Sequence, residues 1–387
     1  MTEKKLNIGV LGVGEIALGP HGVLPNLRHI AHKVNLVALA DPVEDRLAAA
    51  AKTYAVPHTF ASLDELLQLD ELDAVVNLTP IPAHGDTSRR ILEAGKHLAL
   101  EKPVATTMDD ANAIVQLAEE QGLTVVVSPP NMLYPSRSEA RKLIRDGVIG
   151  RVAFARARPS GAGPAAGAPW RDPSWFYQEG SGPTFDVGVY GIHELLGLLG
   201  PVRRVTAFSG ITDPVRTVRR GPYKGLEIPV TADDNTLMLL DFGDSVFATV
   251  DSTFNVYASK GPRIEIYGRE GALNVNYNIN QSGPAPQLEV YRTDINGSEF
   301  DGWVAPNLGH LSGAETWALN LKRALLVDHL ADCVLGGTSS ALGADLARHA
   351  LEIMLGAYES ARTGAAVPID STFTDVQPPA PSLGSQW

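Results

Sequence analysis

The sequence predicts an α/β chain in which a doubly wound parallel sheet forms the amino-terminal domain and an α+β domain with a large, mostly antiparallel open sheet follows it. Three observations carry the prediction. Over about the first 130 residues, short continuous apolar runs alternate with helix-length amphipathic stretches. A glycine-rich turn directly follows the first apolar run. From Arg203 to about Tyr291, strand-like runs follow one another almost without interruption, which helical crossovers between parallel strands would not allow.

In the first part, Leu6–Leu11, Val34–Ala40, Ala74–Leu78, His97–Leu100 and Thr124–Val127 read as strands. Pro42–Tyr54, Ala83–Ala94 and Asp109–Gln121 read as the helices between them. Apolar runs without alternation suit strands buried on both faces. The pattern breaks at three prolines in Ser128–Pro135, and a helix over Ser136–Asp146 ends at Gly147 before a strand that begins near Arg151. A Gly/Pro/Ala loop over Pro159–Pro169 and an aromatic segment, Trp170–Tyr177, then lead to a helix over Thr184–Leu199. Val205–Gly210, Thr236–Phe242, Ser245–Phe254, Arg263–Tyr267 and Leu288–Tyr291 read as strands, with turns at Gly243-Asp244 and Arg269-Glu270-Gly271. Helices are expected again over Ala314–Leu335 and Ala341–Arg362, followed by a Pro/Ser-rich tail with little structure of its own. The expected domains are 1–128, 129–369 and a tail over 370–387.

Composition excludes several function classes. At 387 residues and 44% hydrophobic, the chain can bury a sizeable core. A formal net charge of -12 argues against a nucleic-acid partner, whose phosphates draw on clustered Lys and Arg. The single cysteine, Cys333, permits no intrachain disulfide. The charged start MTEKKLNIGVLG lacks a signal-peptide core, and no later run approaches the roughly 18 to 20 apolar residues of a membrane span. A cytoplasmic protein without membrane contact is expected. The ten histidines show no HxH, HExxH or paired-cysteine spacing, so no metal is expected either.

The first apolar run passes into Gly12-Val13-Gly14-Glu15-Ile16-Ala17, a GxGxxA turn between a strand and a helix. In a Rossmann domain the first glycine permits the tight turn, the second lets a pyrophosphate approach the backbone, and the small third residue lets helix and strand pack. Glu15 and Ile16 open the helix beside that anion. Asp41, at the end of the second strand, is placed to accept hydrogen bonds from ribose hydroxyls, or is simply a strand-end turn residue before Pro42. No Arg or Ser follows to welcome a 2'-phosphate, so NAD is preferred to NADP. The interval from Gly14 to Asp41 exceeds the usual ~20 residues; Gly19-Pro20-His21-Gly22 and Pro25 explain this as an insertion that interrupts the first helix. Leu78, Thr79 and Pro80, after the third strand, also lie where a dinucleotide binds. His84, at the next helix start, is a cofactor contact or a cap. Asn131, in the proline-rich break, joins the candidate cofactor set.

The fourth strand ends in Glu101-Lys102-Pro103. With GVGEIA, Asp41 and the segment EGSGPTFDVGVYGIHELLGLLGP, this EKP resembles the glucose-fructose oxidoreductase / inositol dehydrogenase / rhizopine-catabolism family, from about Asn7 to Ile369. The resemblance implies an NAD(H)-dependent oxidoreductase that moves a hydride at a ring hydroxyl of a sugar, polyol or sugar derivative. It makes Lys102 a catalytic residue near the nicotinamide, with Glu101 beside it. Together with the broad second-domain sheet, it implies a homodimer or homotetramer.

Helical periodicity places Asp186, Tyr190, His193 and Gly197 at i, i+4, i+7 and i+11, one stripe within about 60°, with Ile192, Leu195, Leu196 and Leu199 opposite. Members of the family carry His or Tyr four residues after the aspartate, and Tyr190 stands there in this chain. The resemblance therefore favours Tyr190 for proton transfer and Asp186 for holding the substrate hydroxyl. His193 is a substrate ligand first and an alternative base second. A phenol of pKa about 10 needs a neighbouring cation to act as a base at neutral pH. Lys102 can supply it. Trp170 and Trp175 either stack on a sugar ring or pack in the core. Arg156 and Arg158 share a strand face better suited to a salt-bridged dimer or to solvent than to an anionic substrate. Two further readings fit the same residues: an NAD-dependent glycosidase that cleaves by transient oxidation and elimination, and a non-catalytic dinucleotide sensor.

Overall fold

The computed structural model describes residues 4–169, 171–276, 287–293, 301–306 and 312–374. The chain divides into two compact units. The first comprises Met1–Pro135, Leu311–Leu351 and Thr374–Trp387, and the second Ser136–His310 and Glu352–Phe373. Residues 311–351, which the sequence reading assigns to the second domain, thus return to the first unit.

The first unit is built on six parallel strands: β1 (Leu6–Leu11), β2 (Val34–Ala40), β3 (His58–Phe60), β4 (Ala74–Asn77), β5 (His97–Leu100) and β6 (Val125–Val127). Their order is β3-β2-β1-β4-β5-β6, so the winding reverses between β1 and β4. This reversal is the topological switch point at which open α/β sheets bind ligands. The helices are α1 (Glu15–Leu18), α2 (Val23–Asn26), α3 (Glu44–Tyr54), α4 (Leu63–Leu67), α5 (His84–Glu93) and α6 (Met108–Gln121). The expected interruption of the first helix is the split between α1 and α2 around Gly19 and Gly22. β3 and α4 are additions to the sequence reading; β3 has only three residues, too few to show a pattern, and is recruited by pairing with Ala38–Ala40.

The second unit opens with α7 (Pro135–Arg145) and β7 (Val152–Ala157) and continues to α8 (Val189–Leu199). The later strands are β8 (Arg204–Gly210), β9 (Val215–Thr217), β10 (Glu227–Pro229), β11 (Asn235–Gly243), β12 (Val246–Thr253), β13 (Ile264–Gly268), β14 (Gly271–Val275), β15 (Leu288–Arg292), β16 (Gly302–Val304) and β17 (Val367–Pro368). β9 and β10 pair as a separate ribbon. The other strands form a nine-stranded sheet in the order β16-β15-β14-β13-β7-β12-β11-β8-β17, antiparallel except for the β7–β12 pair and thus mostly antiparallel as expected. Asp244 and Ser245, both at positive φ (51° and 62°), close the β11–β12 hairpin as the type I′ turn matched to strand twist.

Strict alternation in β11 buries Met238 and Leu240 and leaves Leu237 and Leu239 half exposed. Three helices close the chain: α9 (Ser312–Leu321), α10 (Ala324–Gly336) and α11 (Ala344–Thr363). The single helix expected over Ala314–Leu335 is broken because Lys322 takes a left-handed conformation, φ 53°. The tail expected to be unstructured from Asp370 begins with anchored residues: the Asp370 and Ser371 amides donate to Glu352 (3.0 and 2.9 Å). The remainder, 375–387, lies outside the described residues.

In the second unit, α7 and α8 are joined by a buried ion pair. Arg137 Nε donates to Glu194 Oε1 at 3.1 Å, and Arg263 Nε lies 3.8 Å from the other carboxylate oxygen. Glu194 is fully buried. Removing one partner of such a pair strands the other charge in a low-dielectric interior. Glu194→Ala is therefore expected to lower the unfolding free energy by about 3–5 kcal/mol in urea titration, and replacing Arg137 and Glu194 together by Met and Leu should recover much of that loss. A change below about 1 kcal/mol would show that the pair does not hold α8.

Candidate active site

The residues expected to hold a dinucleotide gather at the carboxyl ends of β1, β2, β4, β5 and β6. Gly12 follows β1 with φ 90°, and a Cβ there would lie 2.7 Å from the Leu78 carbonyl oxygen, so both the backbone and its neighbour demand glycine. Its amide donates to the Ala40 carbonyl at 2.8 Å, binding the turn to β2. Gly14 is different. Its φ of -87° suits any residue, yet nothing lies within 4 Å of a Cβ built on it. No neighbour among the described residues requires glycine at 14, so that open space suits a phosphate approaching the backbone. Glu15 and Ile16, both half-buried, open α1. Asn131 supplies a second sign of fit for a bound group: it is buried, and its Nδ2 has no hydrogen-bond partner among the described residues.

Asp41, 3% exposed, accepts from the amides of Val13 (2.7 Å) and Val43 (2.9 Å). Arg46 in α3 adds a forked contact at 2.7 and 2.9 Å. Burial raises the pKa of this carboxyl; the two amides and the guanidinium together outweigh burial and hold it below the usual carboxylate range. The expectation that no arginine follows Asp41 is thereby corrected. Arg46 stands five residues on, brought back by the strand-to-helix turn.

Beyond β4, the amide and hydroxyl of Thr79 both donate to Asn77 Oδ1 (3.2 and 2.8 Å). Asn77 Nδ2 in turn donates to Thr87 and Ser88 of α5 (2.8 and 3.2 Å). Asn77 opens the segment that the sequence places at the carboxyl end of the third strand, but its ties to α5 have no signal there. Leu78 turns inward while Pro80 is exposed. His84 is neither an evident cap nor turned toward solvent: its ring is buried, with Nδ1 2.7 Å from the Pro103 carbonyl oxygen and Nε2 2.9 Å from that of Thr79. Glu101 receives the Lys102 amide at 3.2 Å and the Ser128 hydroxyl at 3.4 Å, and lies 3.5 Å from Arg323. Lys102 is half-buried, and the Lys102–Pro103 and Ser128–Pro129 peptides are cis.

Asp186, Tyr190 and His193 belong to the second unit, on one continuous helical segment, while Lys102 belongs to the first. The segment starts with a π turn, Thr184–Gly188, in which the Val189 amide donates to the Thr184 carbonyl five residues back. Such bulges recur at functional sites. The extra residue rotates Asp186 relative to the α-helical stripe expected from uniform periodicity. Glycines let this segment press on its surroundings: a Cβ at Gly188 would lie 2.4 Å from Ser252 Oγ, and one at Gly191 3.0 Å from the Pro159 ring. The helix is thus buried nearly all round, including Ile192, Leu195 and Leu196. Asp186 and Tyr190 remain partly accessible. His193 is 3% exposed, its Nδ1 has no partner among the described residues, and burial pushes its pKa down to about 3.

The softer candidates separate. Trp170 lies outside the described residues. Trp175 is 37% exposed, whereas Tyr177 is buried and its hydroxyl accepts from the Ala165 amide at 2.9 Å. Arg156 and Arg158 both pair with Glu265. Among the described residues no cluster of His, Cys, Asp and Glu could hold a metal ion, and no helix is long and apolar enough to cross a membrane.

Residues 6–128 match the model of an oxidoreductase family with an NAD-binding Rossmann fold. Residues 138–274 match that of the GFO/IDH/MocA C-terminal domain. The chain is 24% identical to scyllo-inositol 2-dehydrogenase (NAD(+)) of Bacillus subtilis, over 95% of this chain and 97% of that enzyme. It is 25% identical to levoglucosan dehydrogenase of Pseudarthrobacter phenanthrenivorans, over 71% of this chain and 74% of that one. A solved levoglucosan dehydrogenase in complex with NADH superposes with a TM-score of 0.79 at 20% identity, covering 95% of this chain and all of the other, which shows the shared fold. With both its nucleotide-binding and its carboxy-terminal segments matched, over more than half its length, this chain belongs to the GFO/IDH/MocA family of NAD-binding oxidoreductases.

Proposed function

We propose that the protein is an NAD-dependent dehydrogenase that acts at a ring hydroxyl of a sugar, polyol or sugar derivative. The observation that carries this reading is that, on a largely buried segment, an acid and a phenol, Asp186 and Tyr190, are the polar side chains left partly accessible. Sugar and inositol dehydrogenases among the relatives support the substrate class.

The cofactor cradle comprises Gly12, Gly14, Glu15 and Ile16 around the pyrophosphate, Asp41 at the ribose, and Leu78, Thr79, Pro80, Glu101, Lys102 and Asn131 along the strand ends. Bound NAD supplies the hydride acceptor. Oxidation of a carbinol also requires its hydroxyl proton to leave. In the second unit, Tyr190 takes that proton and Asp186 accepts a hydrogen bond from the substrate and orients it; in the first, Lys102 is the catalytic ammonium. His193, neutral at pH 7 with a pKa of about 3, serves as a substrate ligand and is a poor base. Trp175 offers an apolar face to a sugar ring.

The outer face of the nine-stranded sheet carries Phe208 (82% exposed), Leu237, Leu239 and Phe247. A contiguous apolar patch of this kind marks an association surface. A second copy is its occupant, giving a homodimer or homotetramer.

The proposal is tested by incubating the protein with NAD and a panel of sugars, polyols and glycosides while following NADH and product masses. Net NADH with an oxidised product supports it; cleavage of a glycoside without net NADH replaces it with a redox-neutral glycosidase. Asp41 should make NAD bind more tightly than NADP in calorimetric titration, and the reverse order would remove it from the ribose. Lys102→Ala should all but abolish turnover, leaving only a residual rate, with NAD binding largely intact. Tyr190→Phe should slow single-turnover hydride transfer by about 100- to 10,000-fold, whereas His193→Ala should act mainly on KM; the opposite ranking would exchange their roles. Light scattering should find a dimer or tetramer that Leu237→Arg with Leu239→Glu dissociates, and a monomeric wild-type protein at micromolar concentration would exclude the association.

A further inference from the structure

The turn that carries Lys102 is held from two sides. On one, the Glu101 amide donates to the Asn77 carbonyl at 3.2 Å, extending the β4–β5 pairing by one residue. On the other, the Pro103 carbonyl meets the buried ring of His84, the first residue of α5. The same ring meets the Thr79 carbonyl with its second nitrogen. We infer that His84 is a positioning residue: by spanning the Pro103 and Thr79 carbonyls it ties the loop after β4 to the turn after β5 and so sets where the Lys102 ammonium stands. The inference rests on the reading of Lys102 as catalytic only for its effect on turnover.

The chemistry of the contact is demanding. A carbonyl oxygen only accepts, so each contact calls for an N–H; a neutral imidazole has one and an imidazolium two. Burial lowers the His84 pKa, the two carbonyls and the Glu101 carboxylate oppose that shift, and Lys102 adds to it. Asp110 of α6, packed against Gly85 and 3.3 Å from Arg89, and Asp86 in the first turn of α5 are further charged neighbours of this helix end. No other proteinogenic side chain presents two opposed ring nitrogens at this separation. Gln reaches one carbonyl, and Phe fills the space and reaches neither. The links run in order: the histidine at the helix start holds one carbonyl through the N–H of its neutral ring and both when protonated, the held carbonyl ties its loop to the helix start, and the loops fix the lysine.

The test uses the full chain with NAD, in wild type, His84→Phe and His84→Gln, with lysines reductively methylated with 13C-formaldehyde and the Lys102 signal assigned by its loss in Lys102→Arg. The expected result is a displaced Lys102 resonance whose titration moves by about 0.5 pH unit or more in His84→Phe and by less in His84→Gln, while the other lysine signals stay in place. An unmoved Lys102 signal in the folded variants overturns the inference. Should His84→Phe fail to fold, as judged by thermal melting, His84→Gln is read by the same criterion. On the best substrate of the panel, kcat should fall about 10- to 100-fold in His84→Phe, with KM for NAD changed by less than about threefold, and the loss should vanish from the residual turnover of a Lys102→Ala background. A loss confined to KM for NAD, or one that persists undiminished in that background, also overturns it. If the Lys102 signal moves but Lys102→Ala retains turnover, positioning stands and the catalytic reading of the lysine falls; the two failures are thus separated.

Discussion

Both faces of the parallel sheet are sealed. Ile8, Val10, Ala74, Val75, Val76, Leu98, Ala99 and Leu100 are all inaccessible to solvent, so no polar side chain can be tolerated along the middle of these strands. Chemistry is confined to the carboxyl edge, where the strands end and backbone groups lose their ladder partners. Gly12, Asp41, Asn77, Glu101 and Ser128 stand there one after another, each directly beyond its strand or closing it. The strand order reverses between β1 and β4 at that edge, and there Gly12 packs so close to the Leu78 carbonyl that a Cβ would lie 2.7 Å from it. A side chain at residue 12 would push the two loops apart and fill the space a ligand needs.

The second unit carries a constraint of its own. Its candidate catalytic helix is pressed into the surrounding sheet and loop by glycines at 188 and 191 and tied to α7 through Arg137 and Glu194. Buried charges of this kind add little net stability, since desolvation offsets most of their attraction, but a pair in which either partner is costly to lose holds two helices in one register. The π turn then sets Asp186 apart from the regular helix that carries Tyr190. Rigid placement of both side chains is what an oriented proton transfer requires. Burial that fixes the helix also lowers the pKa of His193 and keeps its ring neutral.

Several members of the site were visible in the order of residues because a local rule demands them. GxGxxA, Asp41 and EKP each follow a continuous apolar run, and strands buried on two faces announce themselves by unbroken hydrophobicity, so β1, β2 and β5 begin and end where their sequences predict. Arg46, Asn77 and the two contacts of His84 had no such rule. Each acts through a partner 5 to 19 residues away, across a turn whose direction depends on packing. Neither the three-residue β3 nor the break at Lys322 between the closing helices leaves a compositional mark: the one is created by pairing, and the other by a left-handed backbone that lysine rarely adopts.

The sequence by itself determined the fold class and the glycine-rich turn after the first strand, and it singled out an acid, a phenol and an ammonium as candidates, because periodicity, glycine spacing and side-chain chemistry are local properties of the chain. The tertiary structure alone decided that Asp41 is already paired with Arg46, that His84 faces two carbonyls instead of solvent, that Arg156 and Arg158 are committed to Glu265, and that residues 311–351 return to the first unit. Those outcomes depend on which groups lose water together when distant segments pack. A buried charge or ring nitrogen can pair only with what the fold brings within about 3 Å, and that set is fixed by the topology of the whole chain.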